Sequence, residues 1–177
     1  MKISKLGIVL HPVNSTKFKT MLSHLCTWLT RRKISIFFLE KEKERIKGIL
    51  ALSHFSKIRF VDFGELSVLH AILTLGGDGT LIGLCRNLKK SQTPIIGVNW
   101  GKLGFITEFG PQEMFDSLEK ILVGHYTTTQ RRLFKVLIQR NGKKIFQSRF
   151  VNDVVISKPS IARMFHLNVD CGEGLIF

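Results

Sequence analysis

Of the chain's 177 residues, 44% are apolar and 23% charged, which excludes a disordered tail and suits a globular protein with a sizeable core. No window approaches the roughly 18 consecutive apolar residues of a membrane span, and the five-residue apolar run before His11 and Pro12 is too short for a signal-peptide core. A cytoplasmic protein without a membrane partner is expected. The net charge of +14 raises the question of nucleic acid. The bases are scattered, however, and between residues 40 and 47 they alternate with acids as on a solvated surface. With no RNP-like aromatic motif, zinc finger or helix-turn-helix pattern, no nucleic-acid partner is expected.

Apolar runs and helical periods alternate along the first two thirds of the chain. LGIVL (6–10) reads as a strand, followed by a helix from Phe18 whose apolar stripe is Phe18, Met21, Leu22, Leu25, Trp28 and Leu29. ISIFFL (34–39) reads as a second strand. The segment from Glu40 to Leu52 is charged, with a helix one option, and RFVDF (59–63) is ambiguous. LHAILTLG (69–76) reads as a buried strand running into glycines, TLIGLCRNLKK (80–90) as a helix and TPIIGVN (93–99) as another strand. PQEMFDSLEKILVG (111–124) has Pro at its start and Gly at its end, the asymmetry of a helix.

After Gly124 the texture changes. Two β-rich runs flank Asn141-Gly142, a hairpin turn signal, and MFHLNVDC and GLIF continue in strand-like fashion. The expected division is an α/β domain over residues 1–124 and the first strands of an all-β domain over 125–177. Three or four strands without a closing partner leave apolar edges that soluble proteins normally pair or cover. The chain is therefore expected to stop inside its second domain.

The stretch LTLGGDGTLIGL (73–84) carries the chemistry. A strand that ends in glycines and feeds a helix presents several backbone N–H groups together and lets phosphates approach closely. Gly76, Gly77 and Gly79 are more glycines than a tight turn needs. The dinucleotide fingerprint G-x-G-x-x-G fails by one residue, because the third glycine is Gly83. GVNWGKL (97–103) imitates a P-loop but is one residue short, with Leu103 in place of the metal-binding hydroxyl. Asp78, a carboxylate beside a phosphate site, is unfavourable unless it holds Mg²⁺ or accepts a proton from an attacking hydroxyl. Phosphoryl transfer to a hydroxyl is the reaction class that fits. Cys26, Cys85 and Cys171 match no metal or CxxC spacing and the six histidines form no paired motif, so no metal site built by the protein alone is expected.

GGDGT (76–80), NWGKLGFIT (99–107) and VNDVVISK (151–158), in this order, resemble the ATP-dependent NAD kinases. GGDG alone is shared with phosphofructokinases and with diacylglycerol and sphingosine kinases; the second and third motifs are more specific. The resemblance implies a Rossmann-like α/β domain of the phosphofructokinase and diacylglycerol-kinase type followed by a β domain, with the site between them. It implies transfer of the γ-phosphate of ATP to the 2′-hydroxyl of the adenosine ribose of NAD, giving NADP, with a divalent metal such as Mg²⁺. Homo-oligomers are implied for full-length members.

Carried over residue by residue, Asp78 matches the general base, within a nucleotide-binding loop of Gly76, Gly77, Gly79 and Thr80. Asn152 and Asp153 stand at the Asn-Glu positions that grip NAD, Asp153 being one methylene shorter than the family's Glu. Arg163 falls where a further NAD-binding side chain stands, and Asn99 has a positional role in a loop facing the cleft. Arg131 and Arg132 are either a solvated strand end or a phosphate contact. Family members continue into a T-P-T-G-S-T-A-Y segment that this sequence lacks, and roughly a hundred residues of a second domain are expected to be missing. Two readings stay open: an NAD kinase of which this chain is an inactive fragment, and a non-catalytic nucleotide-binding remnant. A diacylglycerol- or sphingosine-type lipid kinase is a third.

Overall fold

Residue parity along the first strands places two sets of helices on two faces of one sheet. The computed structural model describes residues 2–11, 16–88, 92–101, 104–157 and 166–170. Five parallel strands, β1 (Lys5–Leu10), β2 (Ser35–Leu39), β3 (Ile58–Val61), β4 (Ala71–Gly76) and β5 (Ile95–Asn99), stand in the order β3-β2-β1-β4-β5. Leu6, Ile8, Leu10, Ile36, Phe38, Leu73, Leu75, Ile96 and Val98 point to one face. There they meet Phe18, Leu22, Leu25 and Leu29 of α1 (Thr16–Arg31), Ile46 of α2 (Lys43–Lys47) and Leu118 and Ile121 of α5 (Met114–Leu122). Phe37, Leu39, Val61 and Ile72 point to the other, against Leu66 of α3 (Phe63–Leu66) and Leu84 of α4 (Asp78–Asn87). Such strands are apolar on both sides, which is why β4 reads as a continuous apolar run with every residue buried.

The elements expected before Gly124 are present, with shifts that have local causes. RFVDF resolves into β3 and the start of α3, because Asp62 caps the helix: its carboxylate accepts from the Glu65 N–H at 2.8 Å, and the Glu65 carboxylate accepts from the Asp62 N–H at 3.3 Å. The charged segment after β2 forms a 3-10 turn at Glu40–Glu42 and then α2. Pro111 lies in a turn and α5 begins only at Met114, while Gly124 closes the segment at φ +99°. α4 starts two residues earlier than the sequence reading had it, so Asp78 belongs to its first turn.

The chain then forms an antiparallel hairpin, β6 (Phe134–Arg140) and β7 (Lys143–Phe150), turning at Asn141 (φ +51°) and Gly142 (φ +71°). β7 runs beside α4, with Ser148, Arg149 and Phe150 half-buried. Residues 151–157 and 166–169 carry no strand, contrary to the strand-like reading of MFHLNVDC for the second of these segments. Arg163, Cys171 and the run GLIF lie outside the described residues. Among the described residues no helix is long and apolar enough to cross a membrane.

Candidate active site at the glycine loop

The strand order reverses at β1: the chain builds outward through β2 and β3, then returns to place β4 on the other side. Ligands of open α/β sheets bind at this switch point, outside the carboxyl ends of the strands. A cleft of about 410 Å³ lies there, within the usual range of roughly 300–1,000 Å³ for small-molecule sites. Its wall is formed by Leu10 at the end of β1 and His11 after it, Leu39 at the end of β2 and Lys41 after it, Phe63 after β3, and Gly77, Gly79, Thr80 and Gly83 after β4.

The three glycines of the loop are needed for different reasons. A side chain on Gly76 would overlap Thr80 Oγ1 and come within 2.8 Å of His11 Cβ. The space above Gly77 and Gly79 is open, with no atom within 4 Å of an added Cβ. Gly76 is therefore fixed by packing, whereas Gly77 and Gly79 leave bare backbone at the N-terminus of α4, where amides and the helix dipole favour an anion. Thr80 lines the same cleft, and among the described residues its buried Oγ1 has no hydrogen-bond partner.

Asp78 does not stand free beside this loop. Its carboxylate accepts hydrogen bonds from the N–H groups of Phe105 at 2.7 Å, Ile106 at 3.3 Å and Thr107 at 3.1 Å, and from Thr107 Oγ1 at 3.0 Å. A side chain on Gly104 would overlap the carboxylate, so glycine is required there for the turn to close over the acid. Desolvation pushes the carboxyl pKa up, but the hydrogen bonds from Phe105, Thr107 and Ile106 outweigh it, and the net shift is downward. The motifs GGDGT and NWGKLGFIT, 19 residues apart from Thr80 to Asn99, are thus one unit with Asp78 as its fastener.

Asn99 supports the unit from the sheet. It ends β5 opposite Gly76, is 3% exposed, and its Oδ1 accepts from the Gly101 N–H at 2.8 Å. It is a strand residue rather than the loop residue expected. The Trp100 N–H donates to the Gly76 carbonyl at 3.1 Å, tying the loop after β5 to the glycines. Phe105 is 98% exposed beside the acid, an apolar ring with nothing to cover it among the described residues.

Asp78, Gly76, Gly77, Gly79, Thr80 and Asn99 lie together at this end of the sheet. Asn152 and Asp153 are exposed in the irregular segment after β7, and Arg131 and Arg132 are exposed before β6; among the described residues no bond joins any of the four to the glycine loop. Sequence reasoning missed Gly104 and Thr107 as partners of Asp78, although both lie within the quoted NWGKLGFIT motif. Cys26 is buried, which pushes its thiol pKa up to about 12, and half-buried Cys85 is raised for the same reason, so neither thiol is poised as a nucleophile. Among the described residues no three His, Cys, Asp or Glu side chains converge as a metal site.

The family described as the ATP-NAD kinase N-terminal domain matches residues 6–126, a span that holds all of the five-stranded sheet but Lys5, together with the Asp78 unit. The chain belongs to the NAD kinase family. It is 33% identical over 160 residues to an NAD kinase of Syntrophobacter fumaroxidans, covering 85% of this chain and 53% of that protein. It is 37% identical over 143 residues to an NAD kinase of Syntrophotalea carbinolica, covering 80% of this chain and 47% of the other. The chain spans about half the length of these curated relatives. Among solved structures, a yeast NADH kinase complexed with NADH has the same fold, with a TM-score of 0.67 and 15% identity, over 84% of this chain and 47% of that one.

Proposed function

We propose that the cleft serves phosphoryl transfer from ATP to the 2′-hydroxyl of the adenosine ribose of NAD, giving NADP. The observation that carries this reading is the placement of Asp78: a family-motif carboxylate in the first turn of α4, at the switch point, beside bare glycine backbone. In this reading the amides of Gly77 and Gly79, with Thr80, hold phosphate, and Mg²⁺ arrives as part of the nucleotide substrate. Asp78 accepts the proton of the attacking hydroxyl as that oxygen bonds to the γ-phosphorus and the bond from phosphorus to the bridging oxygen of the departing ADP breaks. A lowered pKa makes it a weak base, so its part is to orient the hydroxyl and take the proton late, as the new bond forms. Oδ1 is engaged by Ile106 and Thr107, whereas Oδ2 accepts only from the Phe105 N–H, which leaves a lone pair on Oδ2 for the entering hydroxyl. The exposed ring of Phe105, two residues from Thr107, offers an apolar face for an adenine beside the acid.

On the same reading, residues 1–124 are the phosphate-binding domain, and 125–177 open a β domain in which Asn152, Asp153 and Arg163 contact NAD. In its full-length form the protein acts in the cytoplasm, as a homo-oligomer, to make NADP. A second reading, nucleotide binding without turnover, is favoured by the four hydrogen bonds that tie the Asp78 carboxylate to the 105–107 turn. NADP formation with ATP, Mg²⁺ and NAD separates the two. In a full-length form, the transfer reading expects NADP that falls by orders of magnitude in Asp78→Asn while nucleotide binding persists. Equal turnover in that variant refutes the role of Asp78, and nucleotide binding without any NADP favours the second reading.

A further inference from the structure

The segment EKEKERIK (40–47) looks like an evenly solvated run, and the structure divides it unevenly. Its three acids are each taken by the base three residues on: Glu40 by Lys43 at 2.7 Å, Glu42 by Arg45 at 3.0 Å and Glu44 by Lys47 at 2.7 Å. Four bases share three acids, and Lys41 is left out of the ladder; among the described residues it has no ion pair. Its ammonium lies 5.3 Å from the centre of the Phe63 ring. Lys41 and Phe63 are both walls of the cleft that Gly77, Gly79 and Thr80 line from the other side.

We propose that Lys41 is a phosphate-binding residue of this cleft, its ammonium taking the polyphosphate chain of a nucleoside triphosphate that the glycine loop holds from across β1. The inference rests on the kinase reading of the cleft. Lys41 follows β2 and the loop follows β4, with β1 between them, so two strand spacings of about 4.8 Å set them about 10 Å apart. A chain of three phosphates with a lysine reaching toward it fits that interval. The loop supplies only neutral amides and a helix dipole, and Asp78 adds a negative charge, so a cation on the opposite wall supplies the missing electrostatic complement. Phe63 holds the ammonium at the cleft by a cation–π contact without neutralising it. Lys43, two residues away, is committed to Glu40, whose hydrogen bond raises its pKa.

The test is calorimetric titration of the 177-residue chain with ATP, inorganic tripolyphosphate and adenosine, in the wild type, Lys41→Gln, Lys41→Arg and Lys43→Gln. Lys41→Gln is expected to weaken ATP and tripolyphosphate about tenfold, the loss of one charge-assisted contact, and to leave adenosine unchanged. Lys41→Arg should keep most of the affinity, and Lys43→Gln should stay within about twofold, since it removes the same formal charge from an ion-paired position. Wild-type affinity in Lys41→Gln overturns the inference and leaves the kinase reading in place. An equal loss in Lys43→Gln also overturns it, by showing that net charge alone matters. A wild-type chain that binds neither ATP nor tripolyphosphate overturns the inference and the kinase reading of the cleft together.

Discussion

The Asp78 unit and the β6–β7 hairpin are both built from apolar strands and glycine turns, yet they stand in opposite conditions. Around Asp78, each polar atom of the carboxylate has a donor, β4 is buried along its length, and Asn99 is 3% exposed. In the hairpin, Phe134, Leu137, Ile138, Ile145 and Phe146 are each 41–52% exposed. Phe134 stacks on Phe150 at 5.5 Å, and Ile138 pairs with Phe146, so the strands hold each other but no second layer covers them among the described residues. An isolated two-stranded hairpin is marginal in water. The five-stranded sheet satisfies its own sequence, whereas the hairpin's apolar residues ask for a partner. Stability should therefore be concentrated in the first region, and site mutations there should act on folding and function at once.

The sharpest way to break that contrast is Gly104→Ala. The new methyl group would overlap the Asp78 carboxylate, which cannot withdraw without losing its bonds to Phe105, Ile106 and Thr107. A loss of about 1–3 kcal/mol is expected. Gly79→Ala is its control: the added atom meets nothing, and stability should stay within about 0.5 kcal/mol. Urea unfolding of both variants checks the pair. Equal stability of Gly104→Ala and the wild type would mean that the turn is not fastened to Asp78.

A smaller effect follows from the charge of Asp78. Its pKa in the fold lies below the ordinary 3.8. The fold therefore favours the ionised form, and the stabilisation is complete above the unfolded-state value and lost as pH falls through the folded one. Asp78→Asn replaces one acceptor by a donor facing backbone N–H groups and should lower stability by about 1–2 kcal/mol at neutral pH. The gap between the two proteins should stay constant from neutrality to about pH 5 and narrow as pH drops below 3.8. Denaturation followed from neutral to acid pH measures it, and a gap that widens on acidification would contradict the assigned direction.

What the sequence made legible depended on where each interaction begins and ends. β1 and β4 were legible because a strand buried on both faces must be apolar throughout, and the hairpin because Asn141-Gly142 suits a two-residue turn with positive φ. The start of α3 was not, since the capping pair Asp62 and Glu65 sits within a run that also suits a strand. The glycine loop was found from its side chains. Its link to Gly104 and Thr107 was not, because three of the four bonds to Asp78 come from backbone N–H groups, which every residue but proline carries. Lys41 was hidden for a different reason: in a run of alternating charges, only the geometry decides which base is left over.

The hairpin provides the mildest test. Ile138 is 46% exposed and faces Phe146 across the ladder, just before the irregularity between Ile138 and Gln139. Ile138→Lys removes apolar surface from a region that contributes little to the five-stranded core. The main unfolding transition should move by no more than about 0.5 kcal/mol, while self-association, read by sedimentation, should fall because exposed apolar patches promote contact between copies. A drop of more than about 1 kcal/mol in the main transition would be outside the range for such a surface change. It would mean that the hairpin and the sheet unfold as one unit through the contact of β7 with α4. In that case the two regions differ in what they expose but share one cooperative fold, and a change at the hairpin would be felt at Asp78, in the first turn of the same α4.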